Sequence, residues 1–266
     1  MSDLTTALPL ALRRALELLA EPPVEPEVTN GYLDLLAAES AGERSVSPNK
    51  TGPIQALWAS PVAAMVYDNA QAVLRKLVRA FEPPVEWLDM PPGGIILDVG
   101  CGPASVTASL ARAAGPGALV LGVDRSAAML ARAVRAQSLP EVGFLRADAQ
   151  QLPLRDETVD GVVSIGVLQF MPDPAAALAE MARVLRPGGQ LAVVVPVVRH
   201  AARFWRRLPS LDPYVFTQDE VGDILMDHGF ASVRTKNVGP VQWVHGRRSE
   251  DSAKNRAAQG HTSRWP

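Results

Sequence analysis

The sequence predicts an α/β protein with a doubly wound, seven-stranded and mainly parallel sheet, preceded by an N-terminal helical cap. From residue 95 onward, apolar runs of strand length alternate with segments of helical periodicity, which is typical of a parallel sheet covered on both faces. A glycine-rich turn follows the first of these runs. The first ninety residues are rich in Ala, Leu and Pro and contain no strand-like run. We therefore divide the chain into a cap over residues 1–90, a sheet domain over 91–248 and a flexible tail over 249–266.

The cap is expected to consist of helices joined by loops. Leucines recur at helical spacing between residues 8 and 19, and Pro22 ends this first helix. A second short helix is expected over 31–38. A loop composition follows over 40–53, and a longer helix with an apolar stripe is expected over about 61–81.

In the sheet domain, strands and helices alternate. Ser126 and Asp173 are suited to cap helices, and Pro103 and Pro174 suit first helical positions. The helices are expected over 103–114, 126–137 and 174–186, with a further helix opened by a capping box at 217–220 and ended by Gly229. The seven strands are expected over residues 95–99, 118–123, 142–146, 159–165, 190–198, 231–237 and 241–246.

Composition limits the class of protein. The 266 residues include 26 Lys+Arg and 28 Asp+Glu, a formal net charge of −2, so a basic surface for nucleic acid is not expected. The single cysteine, Cys101, excludes an internal disulfide and a multi-cysteine zinc site, and no histidine pair has metal-ligand spacing, so we assign no metal. The longest apolar run, residues 191–198, is far shorter than the roughly 18 residues of a membrane span. With no secretory signal visible over residues 1–6, we expect a cytoplasmic monomer or homodimer.

The glycine-rich turn carries the predicted chemistry. An apolar strand ends just after Asp98, and Gly100, Cys101 and Gly102 follow before a helix begins. Glycines let the backbone come close to a ligand, and ligands of doubly wound sheets lie beyond the carboxyl ends of the strands. One interpretation is a dinucleotide site, although Ser105 stands where that pattern has its third glycine. A second gives weight to the Asp98 carboxylate, which repels a pyrophosphate but suits a ligand with an ammonium group. The third interpretation is a turn that has only a structural role.

Two further carboxylates follow the next strands of the predicted sheet. Asp124 ends the second strand, where an acid can bind both hydroxyls of a ribose. Asp148 follows the third strand, where it can accept a hydrogen bond from an exocyclic amine. Together with Asp98, these carboxylates are expected to line one edge of the sheet. The ligand that they describe has an amine, a cis-diol and an adenine, and no phosphate.

Over about residues 95–248, the sequence resembles the class I S-adenosylmethionine-dependent methyltransferases, specifically the ubiquinone/menaquinone-type branch that acts on small molecules. The motifs that carry this resemblance are Leu97-Asp98-Val99-Gly100-Cys101-Gly102, Gly122-Val123-Asp124-Arg125-Ser126, Ala147-Asp148-Ala149, Asp160-Gly161-Val162-Val163-Ser164 and Val184-Leu185-Arg186-Pro187-Gly188-Gly189.

The resemblance implies a role for each predicted contact. The loop at residues 98–102 would hold the methionine moiety of S-adenosylmethionine, Asp124 the ribose hydroxyls, and Asp148 the adenine amino group. Met129 and Ala149 would flank the adenine ring. The full set of predicted cofactor-binding residues is Tyr67, Asp98, Gly100, Cys101, Gly102, Asp124, Arg125, Met129, Asp148, Ala149 and Ile165.

Other positions have competing interpretations. The family often places an N-terminal tyrosine over the cofactor, and Tyr67 is the candidate, with a core or surface tyrosine as an equal alternative. His200 is a candidate general base, although a solvent-facing loop histidine is favoured. For Cys101, packing is favoured over reactivity. The sequence departs from the family at Ala104, which replaces the third glycine of the loop, and at Gln169, where the family often has a histidine or aromatic pair.

The predicted function is methyl transfer from S-adenosylmethionine to a small, apolar or aromatic acceptor at O, N or C. The protein mainly has to align and desolvate an already activated cofactor, so no catalytic dyad is required and no catalytic residue is assigned. Two alternatives stay open. One is an NAD-dependent oxidoreductase, and the other is a non-catalytic S-adenosylmethionine-binding protein that acts through partners.

Overall fold

The computed structural model describes residues 8–28, 30–36, 91, 93–197, 214–238 and 241–250. The strands within these ranges are β1 Leu33–Asp34, β2 Ile95–Val99, β3 Leu119–Asp124, β4 Val142–Arg146, β5 Val159–Ile165, β6 Leu185–Pro196, β7 Phe230–Val238 and β8 Val241–Arg248. The helices are α1 Leu10–Leu16, α2 Ser105–Ala114, α3 Ala127–Ala136, α4 Pro174–Val184 and α5 Glu220–Asp227, with a 3-10 turn at Leu168–Phe170.

The strands form one sheet in the order β1-β4-β3-β2-β5-β6-β8-β7. The pairs from β1 to β6 are parallel, and β8 runs antiparallel to both β6 and β7. The doubly wound, mainly parallel architecture is therefore confirmed, and each of the seven predicted strands is present. The strand order reverses at β2 and β5, which lie side by side although β3 and β4 come between them in sequence. A crevice at the carboxyl ends of such a pair is where ligands bind in this type of sheet.

The eighth strand, β1, was not predicted. It occupies part of the segment for which a short helix was expected over 31–38, so that expectation and the expected lack of strands in the first ninety residues are wrong. Leu33 pairs with Leu145 and Asp34 with Arg146, and the Arg146 guanidinium lies 2.8 Å from the Asp34 carboxylate. A strand of two residues shows no alternating pattern in the sequence, because its conformation depends on this pairing with β4.

Both faces of the sheet are covered. Apolar side chains of α1, α4 and α5 pack on one face, in a cluster that includes Leu12, Met181 and Leu225. Apolar side chains of α2 and α3, among them Leu110 and Leu130, pack on the opposite face. The described helix of the predicted cap, α1, thus lies against the sheet face beside β3 and β4. The predicted helix over 61–81, Tyr67 and His200 lie outside the described residues.

The predicted helix caps are largely confirmed. Ser126 Oγ accepts a hydrogen bond from Met129 N, and Asp173 Oδ1 accepts one from Ala176 N. The Glu220 carboxylate accepts a hydrogen bond from the backbone N–H three residues earlier, as in a capping box. In contrast, α2 begins at Ser105 rather than at residue 103, because Ala104 has a left-handed backbone with φ of 66°.

Candidate functional site

The loop between β2 and α2 turns sharply and is attached to the end of β3. Gly100 and Gly102 have φ of 76° and 51°, in the left-handed region that favours glycine. The N–H groups of Gly100 and Cys101 both donate to Val123 O, at 2.8 and 3.0 Å. Gly102 N donates to Asp124 Oδ2 at 2.9 Å. The loop N–H groups that would bind a pyrophosphate in a dinucleotide site are therefore already paired with acceptors of the protein.

Gly100 is required by packing within the protein. A Cβ atom built on Gly100 would lie 2.5 Å from both methyl carbons of Val167. Val167 follows β5, so the chain after β5 passes directly beside the glycine loop. The sequence predicted that a side chain at Gly100 would meet the ligand, whereas the structure shows that it would first meet Val167. The Val167 contact has no signal in the sequence, because it joins residues 67 positions apart.

Asp98 lies beneath the loop, and its side chain is directed to the first turn of α2. The Thr107 hydroxyl donates to Asp98 Oδ2 at 2.6 Å, and only 2 % of Asp98 is exposed. Burial raises the pKa of Asp98 to about 7, hydrogen bonds from the side chain and backbone of Thr107 oppose this, and the charge of Asp124 raises it again. The carboxylate thus occupies the N-terminal end of α2, where a phosphate would otherwise bind.

Asp124, at the end of β3, holds two separate backbone segments together. Its Oδ2 accepts from Gly102 N, and its Oδ1 accepts from Ser126 N at 2.8 Å. Burial raises the pKa of Asp124, while these backbone hydrogen bonds lower it. Each carboxylate oxygen has a second lone pair, so the residue has acceptor capacity left for hydroxyl groups. The buried Asp98 and the half-buried Asp124 are therefore two carboxylates at the same edge of the sheet.

Asp148, which follows β4, is paired with another predicted site residue. Arg125 Nη1 lies 2.5 Å from Asp148 Oδ2, and Gln150 N donates to Oδ1 at 2.9 Å. The side chains of Arg125 and Asp148 retain 43 % and 26 % exposure. The structure thus brings Arg125 and Asp148 together as an ion pair at the edge of the site, a contact that the sequence did not predict.

Apolar side chains complete the predicted adenine side. Met129 and Ala149 are buried, with 6 % and 9 % exposure, and Ile165 is half-buried at the end of β5. Cys101 is buried too, and a Cβ built on Gly122 would lie 2.9 Å from its Sγ. Burial raises the pKa of the Cys101 thiol well above its ordinary value, so a packing role is supported.

Thr107 is a site residue that the sequence analysis missed. A hydroxyl residue in the first turn of the helix after the loop, nine residues beyond the buried acid, was the available signal. Within the described part of the chain, no group of three or more His, Cys, Asp or Glu residues is placed to hold a metal ion. The helices described there include none that is long and apolar enough to span a membrane.

Comparison with known proteins agrees with this geometry. Residues 97–193 match the family model described as "Methyltransferase domain". The methyltransferase GfsG of Streptomyces halstedii is 35% identical over 172 residues, which cover 59% of this chain and 62% of that protein. The demethylmenaquinone methyltransferase of Bacillus cytotoxicus is 43% identical over 108 residues, covering 39% and 45%. This chain thus spans between about a third and three fifths of the length of curated relatives that it matches.

Solved structures share the fold. A chain of the Haloferax volcanii complex between the Trm112 methyltransferase activator and its methyltransferase matches with a TM-score of 0.61 at 18% identity, covering 68% of this chain and 94% of its own. An S-adenosylmethionine-dependent methyltransferase from Thermotoga maritima matches with a TM-score of 0.57 at 22% identity, covering 70% and 96%. At these identities the likeness establishes the fold alone. Residues 97–193 thus match a methyltransferase domain, and the chain is similar in sequence and in fold to S-adenosylmethionine-dependent methyltransferases.

Proposed function

We propose that this protein transfers a methyl group from S-adenosylmethionine to a small, apolar or aromatic acceptor at an oxygen, nitrogen or carbon atom. One observation carries the choice of cofactor. The N–H groups of the glycine loop are paired with protein acceptors, and the buried Asp98 carboxylate lies at the N-terminal end of α2. This edge of the sheet is therefore rich in negative charge and poor in free donors, which suits a cationic ligand and disfavours a pyrophosphate.

The residues at this edge fit the groups of S-adenosylmethionine. Asp98 is a buried and Asp124 a half-buried carboxylate, and both have raised pKa values. An ammonium and a sulfonium nearby would favour their charged forms. Asp124 has spare lone pairs for the ribose hydroxyls. The buried side chains of Met129 and Ala149 offer apolar contacts for an adenine, and Asp148 stands at the exposed margin for its amino group.

When bound, S-adenosylmethionine supplies an activated methyl group whose bonding electrons stay with sulfur as the nucleophile attacks in line. The role that we propose for the protein is to hold the cofactor and acceptor in that line and to exclude water. Loop 98–102 and Val167 provide a rigid wall for this purpose, since the loop is hydrogen-bonded to β3 and packed against the chain after β5. A general base is needed only where the acceptor must lose its proton before attack.

The proposed acceptor class draws on the relatives and on one exposed ring. Related proteins include a demethylmenaquinone methyltransferase and a 2-phytyl-1,4-naphtoquinone methyltransferase, although trans-aconitate 2-methyltransferases are related as well. Tyr214 N donates to Gln169 O at 2.8 Å, and the Tyr214 side chain is 44% exposed. An exposed aromatic ring next to the chain after β5 favours an apolar or aromatic acceptor. We further propose a monomer or homodimer that acts in the cytoplasm without nucleic acid.

Transfer of a labelled methyl group tests this function. The full chain is incubated with S-adenosylmethionine labelled in the methyl group and with a metabolite extract, and label in extracted small molecules is measured. We expect label to appear, and to fall strongly with Asp98→Asn but little with Asp173→Ala, which removes a helix cap at α4. The fold also occurs in a protein named a [4+2]-cyclase, with a TM-score of 0.54 at 21% identity. Binding of S-adenosylhomocysteine without any labelled product would therefore favour a non-methylating role.

A further inference from the structure

Gln169 is a buried polar side chain beside the proposed cofactor site. It lies in the 3-10 turn that follows β5, and 7 % of the residue is exposed. Val167, two residues earlier, packs against the glycine loop. The backbone O of Gln169 accepts from Tyr214 N. Gln169 thus stands between the cofactor loop and the segment that carries the exposed tyrosine ring.

The orientation of the Gln169 amide is fixed by one contact. Nε2 donates to Gly166 O at 2.8 Å, and the reverse orientation would place two oxygens against each other. Oε1 is therefore the atom on the other side of the amide group. Oε1 is buried and has no hydrogen-bond donor among the described residues. A buried acceptor without a donor is unfavourable, so it usually marks a place where a ligand or water completes the pairing.

The backbone next to the Gln169 amide group is open on its Nε2 side. Gly166 has φ of 67°, and the nearest atom to a Cβ built there is Gln169 Nε2, at 3.9 Å. Gly166 itself is held in place, because its N–H donates to Val194 O at 3.0 Å. The backbone that fixes the orientation of the Gln169 amide is therefore itself held in place by β6, so Oε1 has a defined position.

We propose that Gln169 Oε1 accepts a hydrogen bond from the methyl acceptor, and that the acceptor therefore carries an O–H or N–H next to the atom that is methylated. This inference rests on the proposed function. Phenols, quinols, alcohols and amines supply such a donor. A carboxylate does not, and its oxygens would face Oε1 without a proton between them. Gln169 would thus select acceptors by their donor group and would reject carboxylate acceptors.

A matched pair of aromatic probes tests the proposal. The full chain, saturated with S-adenosylhomocysteine, is titrated with 1-naphthol, which has an O–H donor, and with 1-fluoronaphthalene, which has none. We expect the ratio of the two affinities in the wild type to favour naphthol, and to fall about tenfold in Gln169→Met, which preserves size but removes the acceptor oxygen. Gln169→Glu keeps an oxygen at this position and should keep the preference.

Gln242 provides the control. It is fully buried on β8, its Nε2 donates to Gln218 O and Asn237 Oδ1, and its Oε1 also lacks a donor within the described residues. Gln242→Met should leave the naphthol ratio unchanged, since no part of Gln242 is placed at the cofactor loop.

Several outcomes would overturn the proposal. One is a wild type that shows no preference for naphthol, or that binds neither probe. Another is a ratio of the two probe affinities that Gln169→Met leaves unchanged. The comparison of the two probes on the wild type needs no variant, so it tests the proposal even if Gln169→Met fails to fold. If Gln169→Met lost tenfold in S-adenosylhomocysteine affinity and kept the ratio of the two probe affinities, the donor to Oε1 would be the cofactor ammonium and not the methyl acceptor. Failure of the wild type to bind S-adenosylhomocysteine would refute the proposed function itself.

Discussion

Gly100→Ala adds a single methyl group at the point where the glycine loop meets the chain after β5. The residue has φ of 76°, and a side chain in this region costs about 1–2 kcal/mol. The new Cβ would lie 2.5 Å from both methyl carbons of Val167, and forcing an additional group into a packed contact costs about 1–3 kcal/mol. We therefore expect Gly100→Ala to lower the free energy of unfolding by about 2–5 kcal/mol.

A double-mutant cycle separates the two causes. Combining Gly100→Ala with Val167→Ala removes the two methyl carbons that lie at 2.5 Å, but it keeps the backbone strain and the Val167 Cβ, which lies 2.7 Å from the new methyl group. The steric conflict is relieved only in part, so the double variant should be more stable than additivity predicts by about 1 kcal/mol. Gly115→Ala is the matched control. Gly115 has φ of 73° and ψ of −172°, and nothing lies within 4 Å of a Cβ built there, so the change should cost about 1–3 kcal/mol from backbone strain alone.

Urea unfolding gives the stability of each variant, and calorimetry with S-adenosylhomocysteine gives its ligand affinity. The reasoning would be refuted if Gly100→Ala and Val167→Ala were additive, or if Gly100→Ala abolished ligand binding without loss of stability. The second result would restore the interpretation in which a side chain at Gly100 meets the ligand directly.

The remaining predictions concern other residues of the site. Asp98 has a pKa of about 7 in the folded chain against an ordinary 3.8, so the folded state binds the extra proton between these values and loses stability as the pH rises from about 4 to about 7. Asp98→Asn should remove this loss of stability, so its urea midpoint at pH 8 should exceed that of the wild type. Its affinity for S-adenosylhomocysteine should fall at least tenfold. A midpoint at pH 8 below that of the wild type would contradict the raised pKa of Asp98. Asp124→Ala removes the acceptor of two backbone N–H groups and a proposed ribose contact, so affinity should fall roughly 10- to 100-fold, and stability should fall as well. Asp173→Ala is its control, expected to cost about 1 kcal/mol of stability with unchanged affinity, and equal affinities in the two variants would remove Asp124 from the site. Cys101→Ala should retain binding, because the Cys101 side chain serves in packing, and strong loss of affinity would show that the thiol contacts the ligand.

The sequence was sufficient to predict those parts of the candidate site that lie at the ends of strands. Asp98, Asp124 and Asp148 each lie at or just beyond the end of a short apolar run, and parallel strands place such ends at one edge of a sheet. The local signals of Ser126 and Asp173 were sufficient for their helix caps, because a cap depends on residues only three apart.

Contacts that join distant parts of the chain could not be predicted. The packing of Val167 on Gly100, and the ion pair of Arg125 with Asp148, depend on how far neighbouring strands extend and where the following loops turn. The two-residue strand β1 forms because β4 offers an unpaired edge and Arg146 a charge for Asp34. A pattern of periodicity records none of these relations, since each depends on the assembled sheet.

The functional difference between a phosphate-binding and a cation-binding glycine loop also required the structure. In sequence, Gly100 and Gly102 are compatible with both. In the fold, the N–H groups of Gly100 and Cys101 donate to Val123 O, and Asp98 occupies the end of α2. The hydrogen-bond pairing of the loop, rather than its glycines, is the observation on which the proposed choice of a cationic ligand rests.

Calorimetric titration of the full chain with S-adenosylhomocysteine and, separately, with NAD tests the central claim most directly. We expect saturable binding of S-adenosylhomocysteine and no detectable binding of NAD, because the N–H groups of residues 100–102 are already paired and the carboxylates of Asp98 and Asp124 would repel a pyrophosphate. Binding of NAD with no response to S-adenosylhomocysteine would contradict the account.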